Sequence, residues 1–160
     1  VTGRLYPDCR GDVRDGDIGG IMTEIRYMHA SDREFWYSLD HHLPQAEFEN
    51  KVRMRQGYIL MLDDKPAGLL RYQLFWDNTP FCTMLFIEEK YQKKRYGKQL
   101  MEYWEKDMKK QGYGMVLTST RADENAQHFY RKLGYKDCGG FVVDIPAYAQ
   151  PMELFFIKEI

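Results

Sequence analysis

A chain of 160 residues is long enough for one domain and short for two. Its 44% apolar and 29% charged residues belong to a soluble globular protein, and no apolar run approaches the ~20 residues that span a bilayer. The formal charge of −1 gives no overall drive toward nucleic acid or an anionic membrane, so any electropositive site has to be local.

Cys9, Cys82 and Cys138 are odd in number and irregularly spaced, without a C-x-x-C pair. They read as reduced thiols of a cytoplasmic protein, and no metal is expected. Residues 1–21 carry Gly3, Gly11, Gly16, Gly19 and Gly20 and show neither a helix nor a strand period. They read as an irregular leader added to a domain at 22–160, with a native irregular arm as the alternative.

From Thr23 the pattern becomes regular. Ile25 and Tyr27 alternate as in a short strand, and Ser31 or Asp32 is placed to cap a helix carrying Phe35, Trp36 and Leu39 on one face. A second helix follows Pro44 through Phe48 and Val52 toward Gly57. Next, the runs YILML, AGLLRYQLF and FCTMLFI are separated by Asp63-Asp64-Lys65-Pro66 and Asp77-Asn78-Thr79-Pro80, which predicts three antiparallel strands. Leu100, Trp104 and Met108 recur at four-residue steps between Tyr96 and Gln111, and Gly112 stands where a left-handed cap belongs, so this is an amphipathic helix. Met115 to Thr118 reads as a strand, Asp123 to Leu133 as a helix stopped by Gly134, and the remainder as β-rich through Ile157. The order βααβββαβαββ specifies one α/β domain with a mixed, mostly antiparallel twisted sheet flanked by helices.

The segment MLFIEEKYQKKRYGKQLMEYW takes an apolar strand through a basic turn straight into the amphipathic helix. The first amides of a helix have no intrahelical partner and sit at the positive end of its dipole, so such a junction can hold a phosphate by backbone alone. Lys93, Lys94, Arg95 and Lys98 add charge at its mouth, and Gly97 allows close approach. A Walker loop is excluded, because Gln92 and Gln99 stand where that pattern needs Gly and Ser or Thr. A Rossmann loop is excluded by the missing glycines and by the hairpin connections.

With these elements in this order, the chain resembles the GNAT superfamily of acyl-CoA N-acyltransferases from Thr23 to Ile160. Two stretches carry the resemblance. Gln92-Lys93-Lys94-Arg95-Tyr96-Gly97 is similar to the family's loop of Gln or Arg, two residues, Gly, one residue, then Gly or Ala. Asn125-Ala126-Gln127-His128-Phe129-Tyr130-Arg131-Lys132-Leu133-Gly134-Tyr135 is similar to its N-x-x-A-x-x-F-Y-x-x-x-G-F/Y signature, with the Asn one turn closer. The family's first loop glycine is Arg95 here, which is expected to narrow the approach to pyrophosphate, and Glu89 stands where Pro is frequent.

The resemblance implies transfer of an acetyl group from acetyl-CoA to a primary amine of a small molecule or a protein, by direct attack in a ternary complex. It implies CoA binding by Ile87, Gln92, Lys93, Lys94, Arg95, Tyr96, Gly97, Lys98 and Asn125, with the Ile87 N–H as donor to the thioester oxygen. It also implies Tyr130 as the acid that protonates the departing thiolate. Glu88, next to Ile87, is the candidate base; His41 and His42, with Asp40, are further candidates near the acceptor. His128, two positions before Tyr130, is expected on another helix face and exposed. Trp36, Tyr37, Trp76, Asp77 and the segment around Tyr148 are expected to shape the acceptor side, and a homodimer stays open. Two alternatives belong to other classes. One is an acyl-CoA sensor or scaffold without turnover; the other is a nucleic-acid module built on residues 90–98, which the near-neutral charge disfavours.

Overall fold

A computed structural model describes residues 20–160. Residues 1–19 of the expected leader lie outside the described residues, and Ile21 packs half-buried against the core. The elements are β1 (Thr23–Tyr27), α1 (Arg33–Leu39), α2 (Gln45–Met54), β2 (Gly57–Leu62), β3 (Lys65–Phe75), β4 (Thr79–Ile87), α3 (Tyr96–Lys110), β5 (Met115–Arg121), α4 (Ala126–Lys132), β6 (Lys136–Phe141) and β7 (Glu153–Glu159). This is the expected order.

The strands form one seven-stranded sheet in the order β1-β2-β3-β4-β5-β7-β6. Every neighbouring pair is antiparallel except β4 and β5, which run parallel with α3 as the crossover between them. The strand period of two divides the core between the faces. Tyr58, Leu60 and Leu62 of β2 and Leu70 and Tyr72 of β3 meet Leu100, Met101, Trp104 and Met108 of α3 on one face. Ile59 and Leu69 meet Trp36 of α1 and Phe48 of α2 on the other. Each such side chain taken fully out of water contributes about 1.5–3 kcal/mol, so α3 is held chiefly by its apolar stripe. Gly112 takes a left-handed φ of 95° directly after α3, as its sequence position predicted.

Three local features depart from the sequence pattern. Asp32 precedes α1 without capping it through its side chain. Its carboxylate instead accepts from the His29 N–H at 2.7 Å and from both guanidinium nitrogens of Arg26 at 2.8 and 2.9 Å. The helix expected from Asp123 begins only at Ala126. The Gln127 side chain captures backbone there, donating to the carbonyls of Ala122 and Glu124, while the side chains of Asp123 and Glu124 are held by Arg121 and Thr120. Finally, β7 enters the sheet between β5 and β6, so the chain end lies inside the sheet and β6 forms its edge.

Candidate active site

The site begins where the parallel pair comes apart. β4 pairs with β5 only at Phe81–Leu117 and Cys82–Thr118, beyond which β4 runs on to Ile87 and β5 to Arg121 without a rung between them. The Glu88 N–H donates to the Ala67 carbonyl on β3 at 2.9 Å. Successive residues of a strand aim their amides at opposite edges, so the amides and carbonyls of Leu85 and Ile87 face the gap. The Gln92 side-chain amide donates to the Ile87 carbonyl at 2.8 Å, which fastens the following turn to this strand end. An opposing Gly68 leaves room for Ile87: a Cβ there would lie 2.6 Å from Ile87 Cδ1 and 3.0 Å from the Phe86 carbonyl oxygen.

The turn then enters α3. Lys93 and Arg95 both adopt left-handed backbone, with φ of 61° and 69°. Arg95 therefore takes a conformation that glycine takes freely, at a cost of about 1–2 kcal/mol for an L-residue. Its side chain is exposed, so the substitution does not close the turn. The first intrahelical bond of α3 runs from the Gln99 N–H to the Arg95 carbonyl, and no side chain caps the helix. The amides of Tyr96, Gly97 and Lys98 are consequently the unpaired ones at the positive end of a fifteen-residue helix.

Lys93, Lys94 and Lys98 are exposed around this helix start, and Lys98 lies 3.8 Å from Glu102. Tyr96 differs from them. Its ring is buried in the core and packs edge-on against Tyr91 at 6.5 Å, so only its backbone amide can meet a ligand. A Cβ on Gly97 would find ordinary contacts, 3.5 Å to Phe129 Cζ and 3.9 Å to Ile87 Cγ1, so the fold itself does not require glycine there. The same contacts bring β4, α3 and α4 together at one point.

Tyr130 of α4 reaches under the closed end of the gap. It is buried, with its ring against Phe129, Tyr135 and Phe156 at centroid distances of 5.3, 5.8 and 5.9 Å. Burial pushes its phenol well above the ordinary tyrosine value, aided by Cys82 and opposed by the Thr118 hydroxyl. Burial likewise pushes the Cys82 thiol up to about 12. Both groups are therefore neutral at physiological pH. Thr118 is wholly buried and donates to the Cys82 carbonyl at 3.2 Å. Neither Thr118 nor Gly68 was singled out from the sequence. A lone Thr in a strand carries no local signal, whereas a glycine inside the run AGLLRYQLF does signal close approach.

Glu88 follows directly on the strand, with its carboxylate 3.4 Å from Lys90 Nζ and 27% of its side chain exposed. Asn125 is exposed at the start of α4, and its side chain does not cap the helix; His128 is exposed as expected. The expected acceptor side is only partly assembled. Tyr37, His41 and His42 stand on or beside the α1–α2 connection, but Trp36 is fully buried and donates to Asp40 at 3.1 Å, so it packs and cannot line a site. Asp40 is also buried, accepting from Arg71 at 2.7 Å and from the His42 N–H at 3.1 Å. Trp76 and Asp77 form the β3–β4 turn at the opposite end of β4 from Ile87. At about 3.3 Å per residue they are more than ~20 Å from Ile87. Tyr148 is exposed between β6 and β7.

The family model described as the acetyltransferase (GNAT) family matches residues 25–135, more than half of the chain. The chain belongs to the GNAT acetyltransferase family. Solved structures with the same fold include Ard1 from Thermoplasma volcanium, at 16% identity over 86% of this chain and 97% of that one, with a TM-score of 0.73. The ribosomal-protein-S18-alanine N-acetyltransferase from Escherichia coli matches at 19% identity over 87% and 94%, with a TM-score of 0.73. Arabidopsis thaliana Naa50, held with the bisubstrate analogue CoA-Ac-MVNAL, matches at 11% identity over 86% and 99%, with a TM-score of 0.72. No curated protein matches the chain by sequence. In this GNAT chain the matched region takes in the opened strand pair, the α3 start and Tyr130.

Proposed function

We propose that this GNAT protein is an N-acetyltransferase that moves an acetyl group from acetyl-CoA to a primary amine of a small molecule or a protein, by direct attack in a ternary complex. The observation that carries the reading is the edge of β4 beyond Cys82. It offers amides and carbonyls to a ligand chain with peptide-like groups, and it ends beside the unpaired amides of α3. An extended arm carrying amides and a diphosphate, as in CoA, suits that combination. The two acetyltransferase neighbours, one named for a ribosomal protein alanine and one held with a CoA–peptide analogue, support an amine as acceptor.

The residues divide the work as follows. Amides of residues 96–98, with Lys93, Lys94, Arg95 and Lys98 around them, hold the diphosphate, and Gln92 sets the turn that presents them. The Ile87 N–H meets the negative charge that develops on the thioester oxygen; one aimed donor in a water-poor site contributes about 3 kcal/mol to the barrier. Tyr130, kept protonated by burial, gives its proton to the departing sulfur. Glu88 takes a proton from the incoming ammonium; its ion pair with Lys90 is exposed and weak enough to leave it free to do so. Asn125 borders the cofactor side at the start of α4.

Release of free CoA thiol from acetyl-CoA over a panel of primary amines tests this reading. Amine-dependent release supports it. Tight binding of acetyl-CoA with no release to any amine makes the protein an acyl-CoA sensor instead.

A further inference from the structure

The parting of β4 from β5 begins at an irregularity in β4 itself. Tyr72 of β3 stands opposite Cys82 and Arg71 opposite Met84, so Thr83 is an extra residue without a counterpart on β3. It follows directly on the last rung to β5, Cys82–Thr118. Such a β-bulge bends its strand and exchanges the edge toward which each later residue aims. The Tyr72 N–H donates to the Gln56 carbonyl, away from β4, so Cys82 opposite it faces β5. With regular alternation Met84 and Phe86 would follow Cys82 to that edge. The extra residue hands the place to Leu85 and Ile87, and the Glu88 N–H goes to Ala67 on β3.

Side chains from the opposite strand and the α1–α2 connection hold this residue. Arg71 Nη1 donates to Thr83 Oγ1 at 2.8 Å, and the Thr83 hydroxyl returns a weaker bond to the Arg71 carbonyl at 3.4 Å. Arg71 Nε donates at 2.7 Å to Asp40, whose side chain is 0% exposed and also accepts from the Trp36 indole and the His42 N–H. A guanidinium is a planar fork with its N–H groups at fixed angles, so once Asp40 holds Nε the place of Nη1 is set as well. On the other edge of β3 the buried Lys51 donates to the Tyr72 carbonyl, which braces the strand from behind at the same point.

Resting on the reading of the β4 edge as the partner of the acetyl-CoA arm, we infer that Arg71 is a positioning residue for the cofactor: anchored by Asp40, it pins the bulge at Thr83 and so fixes Leu85 and Ile87 as the residues that face the gap. A buried ion pair gains little stability over apolar packing, and its best-attested use is to fix register. Register is what is at stake here. Without the pin the extra residue moves toward Ile87, Arg71 comes opposite residue 83, and Leu85 turns its amide to β3 and away from the cofactor. The same clasp ties the α1–α2 connection, which carries His41 and His42, to the closed end of the gap.

The test compares the full-length parent with Thr83→Val, Thr83→Ser, Arg71→Met and Arg26→Met. The last breaks another ion pair, that of Arg26 with Asp32 near β1, and controls for lost stability alone. On each labelled protein NMR reads the cross-strand contacts of Arg71, then the backbone amides are followed through a titration with acetyl-CoA, and the melting temperature is measured. Parent, Thr83→Ser and Arg26→Met are expected to keep Arg71 opposite Met84 and to shift the Leu85 amide on binding. Thr83→Val and Arg71→Met are expected to bring Arg71 opposite residue 83 and to lose most of the Leu85 shift, with affinity, fixed mainly at residues 92–98, within about threefold of parent. Should Arg71→Met or Thr83→Val fail to fold, Arg71→Lys or Thr83→Ala takes its place, with the same expectation. Parental pairing and a parental Leu85 shift in either clasp variant, whatever its melting temperature, overturn the inference alone and make the clasp a strut of the fold. A parent that does not bind acetyl-CoA, or binds it without shifts at Leu85 and Ile87, overturns the reading of the β4 edge and this inference together.

Discussion

Replacing Gly68 by Ala probes how the end of β4 is held. The added methyl would stand 2.6 Å from Ile87 Cδ1 and 3.0 Å from the Phe86 carbonyl, so the side chain has to turn and the strand end has to shift. Overpacking of this kind costs about 1–3 kcal/mol, equivalent to a fall of roughly 2–12 °C in melting temperature for a chain of this length. The Ile87 N–H moves with the strand, and displacement of one aimed donor is expected to lower turnover at least tenfold. Affinity for CoA, fixed mainly at residues 92–98, should stay within threefold. Adding Ile87→Val deletes Cδ1 and with it the closer contact, leaving the carbonyl at 3.0 Å, so the double variant should recover part of the stability and part of the rate. Gly114→Ala is the control, since a methyl there meets nothing within 4 Å. Differential scanning calorimetry, titration with CoA and thiol release on the same preparations read all three quantities. A Gly68→Ala protein that melts and turns over like parent would refute the steric coupling, as would a loss that Ile87→Val leaves untouched.

Tyr130→Phe keeps the ring packing and deletes the hydroxyl, so melting temperature should change little while turnover falls 10²–10⁴-fold at nearly constant acetyl-CoA affinity, checked by steady-state kinetics and calorimetry. Gly97→Ala should raise stability by about 0.5–1 kcal/mol, because a helix position gains a methyl that meets only ordinary contacts, and should bind CoA within threefold of parent. Gly97→Val should weaken CoA binding more than Lys94→Ala, since a branched side chain intrudes on the amides and a rim lysine does not; titration of the variants decides. Burial works against the charge of Asp40, but Arg71, the His42 N–H and Trp36 outweigh it and hold its carboxyl below the usual carboxylate range. Its folded-state value being depressed, the pair's stabilisation is complete above about pH 4 and is lost as pH falls through the folded value. Asp40→Asn should therefore cost about 3 kcal/mol of stability at neutral pH, as expected for a broken buried pair and read as a lower melting temperature, and flatten the acid decline measured from about pH 5 to 2.

Local patterns in the chain were enough for the element order, because each element announces itself within a few residues. The α3 stripe at Leu100, Trp104 and Met108, the left-handed cap at Gly112 and the turns at Asp63 and Asp77 all fall where the sequence places them. Capping was less legible: Asp32 had a stronger partner in Arg26, six residues away, than the helix it precedes. Sheet order was legible only where short turns join consecutive strands, from β2 through β4. The insertion of β7 between β5 and β6, and the short parallel pairing of β4 with β5, depend on register between distant segments. The same blindness explains Trp76 and Asp77, which read as acceptor residues by composition and lie at the wrong end of a nine-residue strand. At the site itself, the basic turn and Tyr130 were visible through motifs. Cys82 and Thr118, which meet at the last rung before the strands part, had no signature.

The most direct measurement is an amide-resolved titration with acetyl-CoA, following the backbone N–H signals of the uniformly labelled protein by NMR. The account predicts saturable binding, with the largest shifts at Leu85, Ile87 and residues 93–98, smaller ones around Tyr130, and none at the β3–β4 turn. Absence of binding would contradict it, as would shifts centred away from the β4–β5 gap, such as at Asn78 and residues 112–115 on the opposite end of the sheet.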